Sequence, residues 1–120
     1  MKKYCTFPFI VRIGLACVFL ANSLTAFLDP GEFQDLVSAS VVAHLLPVSV
    51  ATFITFVAVH DFTVAALLGI GWRTSYVATY ASLWLVGVIT LIVGPFSLDA
   101  LEHLGFLSMS TALALHERAR

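Results

Sequence analysis

Polar residues along this chain are spaced so widely that long apolar runs define the elements. The run FIVRIGLACVFLANSLTAFL, residues 9–28, ends at Asp29-Pro30-Gly31. A second, residues 48–70, follows Pro47 and stops before Gly71-Trp72-Arg73. The third, SYVATYASLWLVGVITLIV at residues 75–93, stops at Gly94-Pro95, and a fourth at residues 98–115 is shorter and polar at its start. A helix needs about 20 apolar residues to cross a bilayer, and the breaks fall on residues that end helices. The pattern predicts an all-α polytopic membrane protein, a single domain built as a four-helix transmembrane bundle. Between the first two runs, EFQDLVSASVVAHLL at residues 32–46 suits a short amphipathic helix on the outer face. No internal repeat or low-complexity tract is present.

Composition agrees. Of 120 residues, 60% are hydrophobic and 11% charged, with a mean hydropathy of +1.00. Soluble domains carry about 25% charged residues, so lipid is the expected solvent. A net charge of −1 with six basic residues leaves no footprint for nucleic acid. Cys5 and Cys17 are too few for a disulfide scaffold and too far apart for a CxxC motif, and are expected to pack. The opening MKK before an apolar run has the outline of a secretory signal. Arg12 interrupts that run, no A-x-A site follows, and in GLAC Gly14 stands where a lipoprotein box prefers leucine. The segment is expected to stay as the first helix.

Charge sets the orientation. With four spans, the N-terminus, the link between the second and third helices and the C-terminus share one side. Lys2, Lys3, Arg12, Arg73, Arg118 and Arg120 all fall there, while the first opposite loop carries Asp29, Glu32 and Asp35. The positive-inside rule then puts both termini in the cytoplasm. Tyr4, Trp72 and Tyr76 read as interface anchors, and His44 and His116 as interfacial.

The candidate chemistry lies in the spans. His60 and Asp61 sit in mid-span, roughly 15–20 Å from either end at about 1.5 Å per residue. An ionised aspartate there costs about 2.5–3.5 kcal/mol, so it should face protein or water. Asp61, Ala65 and Gly69 recur at i, i+4, with Ala58 one turn before, and this small-residue face should turn Asp61 inward. Its expected partners are Asn22, Thr25, Thr79, Ser82 and Ser110, with Arg12 reaching up or snorkelling to its own end. His60, about 100° away, should point towards Val64 and Leu67. On the fourth helix Asp99, Glu102 and His103 share a face at i, i+3, i+4. Glu102 and His103, at a depth comparable to Asn22, could line a shallow polar cavity open to the outside, with Asp99 capping the helix start. His60 and His103 are estimated about 10 Å apart in depth, and no metal-ligand, nucleophile or phosphate-loop motif is present, so no catalytic or metal residue is assigned.

The stretches VRIGLACVFLANSLTAFLDPGEF, VHDFTVAALLGIGWRTS and LEHLGFLSMSTALAL together resemble the DoxX-like family of small four-helix bacterial membrane proteins. The resemblance covers nearly the whole chain and rests on the early Arg12, the Asp29-Pro30 turn, the LLGIGWR exit and the closing LG…ALAL. Two departures stand out. Many members carry a lysine just before the Asp-Pro turn, where this chain has Ala26. Many have a glutamate in the second helix, for which Asp61 is the candidate stand-in. The resemblance implies a non-catalytic membrane subunit or accessory factor of a quinone-linked redox or stress-response system. It also implies a quinone as ligand and a redox or other membrane protein as partner. The residues themselves leave another reading open, a small proton-coupled transporter or channel component using Asp61 and His60. A homo-oligomer is a further expectation there, because four helices are few for a transport path. His60, Asp61, Glu102, His103, Asn22 and Arg12 are the candidate functional residues.

Overall fold

The computed structural model describes residues 6–119. Lys2, Lys3, Tyr4, Cys5 and Arg120, which entered the charge, anchor and packing expectations, lie outside the described residues. Among those described the chain is all helical, without a strand. Helix α1, Phe7–Leu28, has Pro8 in its first turn, where a missing N–H leaves no bond unmade, and stops at Asp29, held off helical geometry by Pro30. The single helix expected over residues 32–46 is instead α2, Gly31–Ser38, followed by a 3₁₀ turn at Val41–His44. Ser40 divides them. It is extended, at φ −96° and ψ 165°, and its hydroxyl donates to the Val37 carbonyl at 2.7 Å, closing the end of α2.

Helix α3, Val50–Ile70, starts at Ser49, whose hydroxyl accepts the Thr52 N–H at 3.2 Å. It ends in a Schellman turn. Gly71 at φ +76° donates to the Leu68 carbonyl at 3.2 Å, and Trp72 donates to Leu67 at 3.1 Å. Helix α4, Thr74–Val88, continues as a π-helical turn, Ile89–Val93, closed by the Gly94 N–H on the Ile89 carbonyl at 2.8 Å. Helix α5, Leu98–Arg118, is capped by Ser97, which accepts the Ala100 N–H at 3.1 Å. Asp99, expected as the cap, lies inside the first turn, where a negative charge still favours the helix dipole.

Among the described residues three helices, Phe7–Leu28, Val50–Ile70 and Thr74–Val93, are long and apolar enough to cross a membrane. Helix α5 matches them in length but carries Asp99 and Glu102 near its start and Glu117 and Arg118 at its end. Large apolar side chains such as Ile10, Phe27, Phe62 and Leu83 are exposed on the outside, as suits a surface solvated by acyl chains rather than water. These features mark a membrane protein. Helix α1 lies along α3 and α4 along α5, and contacts of α1 with α5 and α3 with α4 complete the packing. Leu15, Phe19, Leu68, Ala81 and Leu113 form the main core, and a second cluster of Ala26, Val37, Ile54 and Ala58 sits beneath α2. Ala58, Ala78 and Ala81 are fully buried and let the helix backbones approach closely. Cys17, expected to pack, is exposed on α1. Trp72 and Tyr76 are exposed as anchors would be, and the Arg73 guanidinium lies 5.5 Å from the Trp72 ring.

Candidate functional site

The inward face of α3 is set by Ala58, Asp61 and Ala65, all buried, so Asp61 points into the bundle as its small neighbours predict. Gly69 departs from that face and is exposed; Leu68 takes the interior position. Asp61 is 4% exposed, and its Oδ1 lies 2.9 Å from His60 Nδ1. An ionised carboxylate only accepts, so in that state Nδ1 carries the proton. Across the α3–α4 seam, His60 Nε2 lies 2.6 Å from the Tyr80 hydroxyl, and the imidazole packs on Trp84 with ring centroids 3.9 Å apart. Asp61, His60 and Tyr80 thus form one hydrogen-bonded chain. Tyr80 and Trp84 were not singled out from the sequence, although their i, i+4 spacing places both on one face of α4.

Of the partners expected for Asp61, Thr25, Thr79, Ser82 and Ser110 are engaged elsewhere, and Asn22 shares a cavity with it without a hydrogen bond. Ser23 donates to the Ala58 carbonyl at 2.6 Å, joining α1 to α3. Thr25 bonds within α1, and Thr79 is used by Ser75 and Arg118. Ser82 pairs with the fully buried Ser110 at 2.7 Å, joining α4 to α5. Arg12 does not approach Asp61. Its Nη1 donates to the Leu68 carbonyl at 3.1 Å, at the far end of α3, and the guanidinium packs against Gly71. There it meets the negative end of the helix dipole.

Two hollows flank the hydrogen-bonded chain. A cavity of about 230 Å³ reaches from the α2 side of the bundle down to Asp61. Asn22, Trp84, Glu102 and His103 line it, with Glu32 and Phe33 of α2 at its margin. The polar cavity expected around Asn22, Glu102 and His103 is therefore continuous with the deeper Asp61, and α2 helps to cover it. His103 Nδ1 donates to the Asp99 carbonyl at 2.8 Å, which leaves Nε2 for other partners. On the outer flank an open groove of about 530 Å³ lies between α3 and α4, lined by His60, Phe56, Thr63, Leu67, Tyr76 and Tyr80. Its walls are almost wholly apolar apart from the His60–Tyr80 pair. His60 does border Val64 and Leu67 there, as expected, but its polar contacts run to Asp61 and Tyr80. No group of three His, Cys, Asp or Glu side chains among the described residues is placed to hold a metal ion.

Compared with known proteins, the chain matches no family model, no curated protein and no solved structure.

Proposed function

We propose that this is a four-span protein of the bacterial cytoplasmic membrane, with both termini in the cytoplasm, that delivers protons to a lipid-soluble ligand. It works as an accessory subunit of a quinone-linked redox or stress-response system, as the DoxX-like resemblance implies. One observation carries the reading: the two ends of the Asp61–His60–Tyr80 chain open on different hollows. Asp61 meets a polar cavity, and Tyr80 meets an apolar groove on the bundle's flank. Buried polar groups in a spanning helix are costly and are characteristically functional. With Asp61 protonated, a proton can move one place along each bond. Tyr80 gives its hydroxyl proton to the ligand, His60 Nε2–H replaces it, and the Asp61 proton passes to Nδ1. Asp61 is left ionised and the imidazole proton sits on Nδ1; a second delivery follows once Asp61 is reprotonated through the cavity and the imidazole proton has returned to Nε2. A quinone fits the groove because it enters sideways from lipid and takes up two protons with two electrons. The electrons come from a partner redox protein.

Transport across the whole membrane, the other role for a buried Asp-His pair, is less well supported. Beyond Asp61 the inner face of α3 is closed by Val64, Ala65 and Leu68, all buried. The test is quinone-linked redox flux in membranes containing the assembled protein. Asp61→Asn, His60→Gln and Tyr80→Phe should each lower flux by about a hundredfold, the low end for a positioned proton donor. Double variants should be no worse than single ones, because the three act as a unit. Normal flux in all three would end the proposal, and proton leak through liposomes holding the chain alone would favour transport.

A further inference from the structure

We propose that the cavity beside Asp61 is a binding site for a small organic cation, an ammonium group carried on a compact apolar body. The inference stands on the cavity and does not depend on the proton-delivery reading. Four carboxylates line the hollow, Asp61 at its depth and Glu32, Asp99 and Glu102 nearer the mouth, while no lysine or arginine does. Arg12, part-buried against α3, is committed to the carbonyl of Leu68 near the end of that helix. None of the three outer acids is ion-paired among the described residues. Against these four carboxylates the lining offers one histidine, His103, and Asp61 is paired with His60, so the excess of charge in the cavity is negative and its low-dielectric walls sharpen the field.

Acidity alone would fit any cation. Two further features narrow the class. Asp61 is buried to 4% exposure and faces the cavity, yet only its Oδ1 has a hydrogen-bond partner among the described residues. Its second oxygen is left for an occupant. The acids do not converge as metal ligands do, and the walls between them include Phe19, Trp84 and Phe106. Aromatic faces attract weakly hydrated organic cations, and quaternary ammonium ions are held in such cages. At about 230 Å³ the hollow is smaller than the roughly 300–1,000 Å³ of sites for drug-sized ligands, which restricts the occupant to a compact ion. The ammonium could belong to a free amine or to a lipid headgroup that enters beneath α2. A bound cation would hold Asp61 ionised and close the cavity to water, so it would also slow any proton delivery through this residue.

The experiment titrates the purified full chain in uncharged detergent with choline and with tetramethylammonium. The control is 3,3-dimethylbutanol, which has the shape of choline without its charge. Binding is read by calorimetry and by fluorescence of a Trp72→Phe variant, in which Trp84 is the only indole. Both cations should bind and perturb Trp84, with the neutral alcohol at least about tenfold weaker. Asp61→Asn should weaken choline by about thirtyfold or more, the cost of removing one partner from a buried charge pair. Should that variant misfold, Glu102→Gln at the exposed mouth should still weaken choline several-fold. Tyr80→Phe breaks the hydrogen-bonded chain without lining the cavity and should leave choline binding unchanged, which separates this proposal from the previous one. In nanodiscs, weaker choline binding with phosphatidylethanolamine than with phosphatidylglycerol would identify a lipid headgroup as the occupant; equal binding would identify a free amine. Equal affinity for the neutral alcohol, or no binding of either cation, overturns the proposal.

Discussion

Replacing Gly71 by alanine perturbs two things at once, and the structure allows them to be separated. Gly71 ends α3 at φ +76°, a conformation that costs an L-residue about 1–2 kcal/mol. A Cβ at this position would also overlap the Arg12 guanidinium, which would have to leave. Its departure breaks the 3.1 Å bond from Nη1 to the Leu68 carbonyl, a charged hydrogen bond worth about 1.5 kcal/mol at the low end for its kind. Gly71→Ala should therefore destabilise the protein by about 2.5–3.5 kcal/mol, and Arg12→Ala by about 1.5 kcal/mol. The double variant loses the Arg12 bond only once. It should be about as unstable as Gly71→Ala alone, leaving the two substitutions short of additivity by about 1.5 kcal/mol. Reversible unfolding in mixed micelles, with a denaturing detergent as the variable, gives all three values. Simple additivity would show that Arg12 does not clamp this turn. The consequence reaches the site, since Arg12 fixes α1 against the end of α3, and that interface carries Asn22 and Asp61 to one cavity.

Topology can be tested with single cysteines in a background lacking Cys5 and Cys17: labels at Gly31 and Ser97 should react from outside, and at Thr74 only from inside. Reaction of Thr74 from outside would reverse or break the four-span arrangement. The Ser82–Ser110 pair is a polar contact between helices, a kind that averages about 0.6 kcal/mol, so Ser110→Ala should cost about that much. Ser110→Leu should cost several times more, because Ser110 is fully buried where α5 meets α4. Wild-type unfolding of Ser110→Leu would mean that α5 is not packed as described.

The helices were legible because their ends are written in local chemistry. Asp29-Pro30, Gly71 and Gly94-Pro95 stop their helices as backbone geometry requires, and expected boundaries fall within two or three residues of the observed ones. Residues 32–46 were harder, because an amphipathic pattern does not reveal that Ser40 will turn its hydroxyl back on Val37. The inward direction of Asp61 followed from Ala58 and Ala65 on its own helix. Its partners did not follow, because the rotation and register of one helix against another depend on packing that no single helix encodes. Asn22 reaches the cavity, whereas its neighbour Ser23 makes the buried bond to α3. Depth misled in the same way: counting residues along straight helices separated Asp61 from Glu102 and His103, yet one hollow touches all three.

The adjacency of His60 and Asp61 follows from helical geometry. Consecutive residues on a helix diverge by about 100°, so two neighbours can face two different surroundings. Asp61 takes the interior direction, towards α1, α5 and the cavity. His60 takes the seam with α4, where its ring lies on Trp84. An imidazole has a nitrogen on each side, and here one turns back to Oδ1 of its neighbour while the other reaches Tyr80. A pair at i, i+4 would keep both groups on one face and in one hollow. Stability gives no reason to retain the arrangement, since burying an acid and its partner is generally no better than apolar packing at the same place. What adjacency supplies is a short polar link through the wall between the cavity and the flanking groove, and the proton delivery proposed above requires such a link.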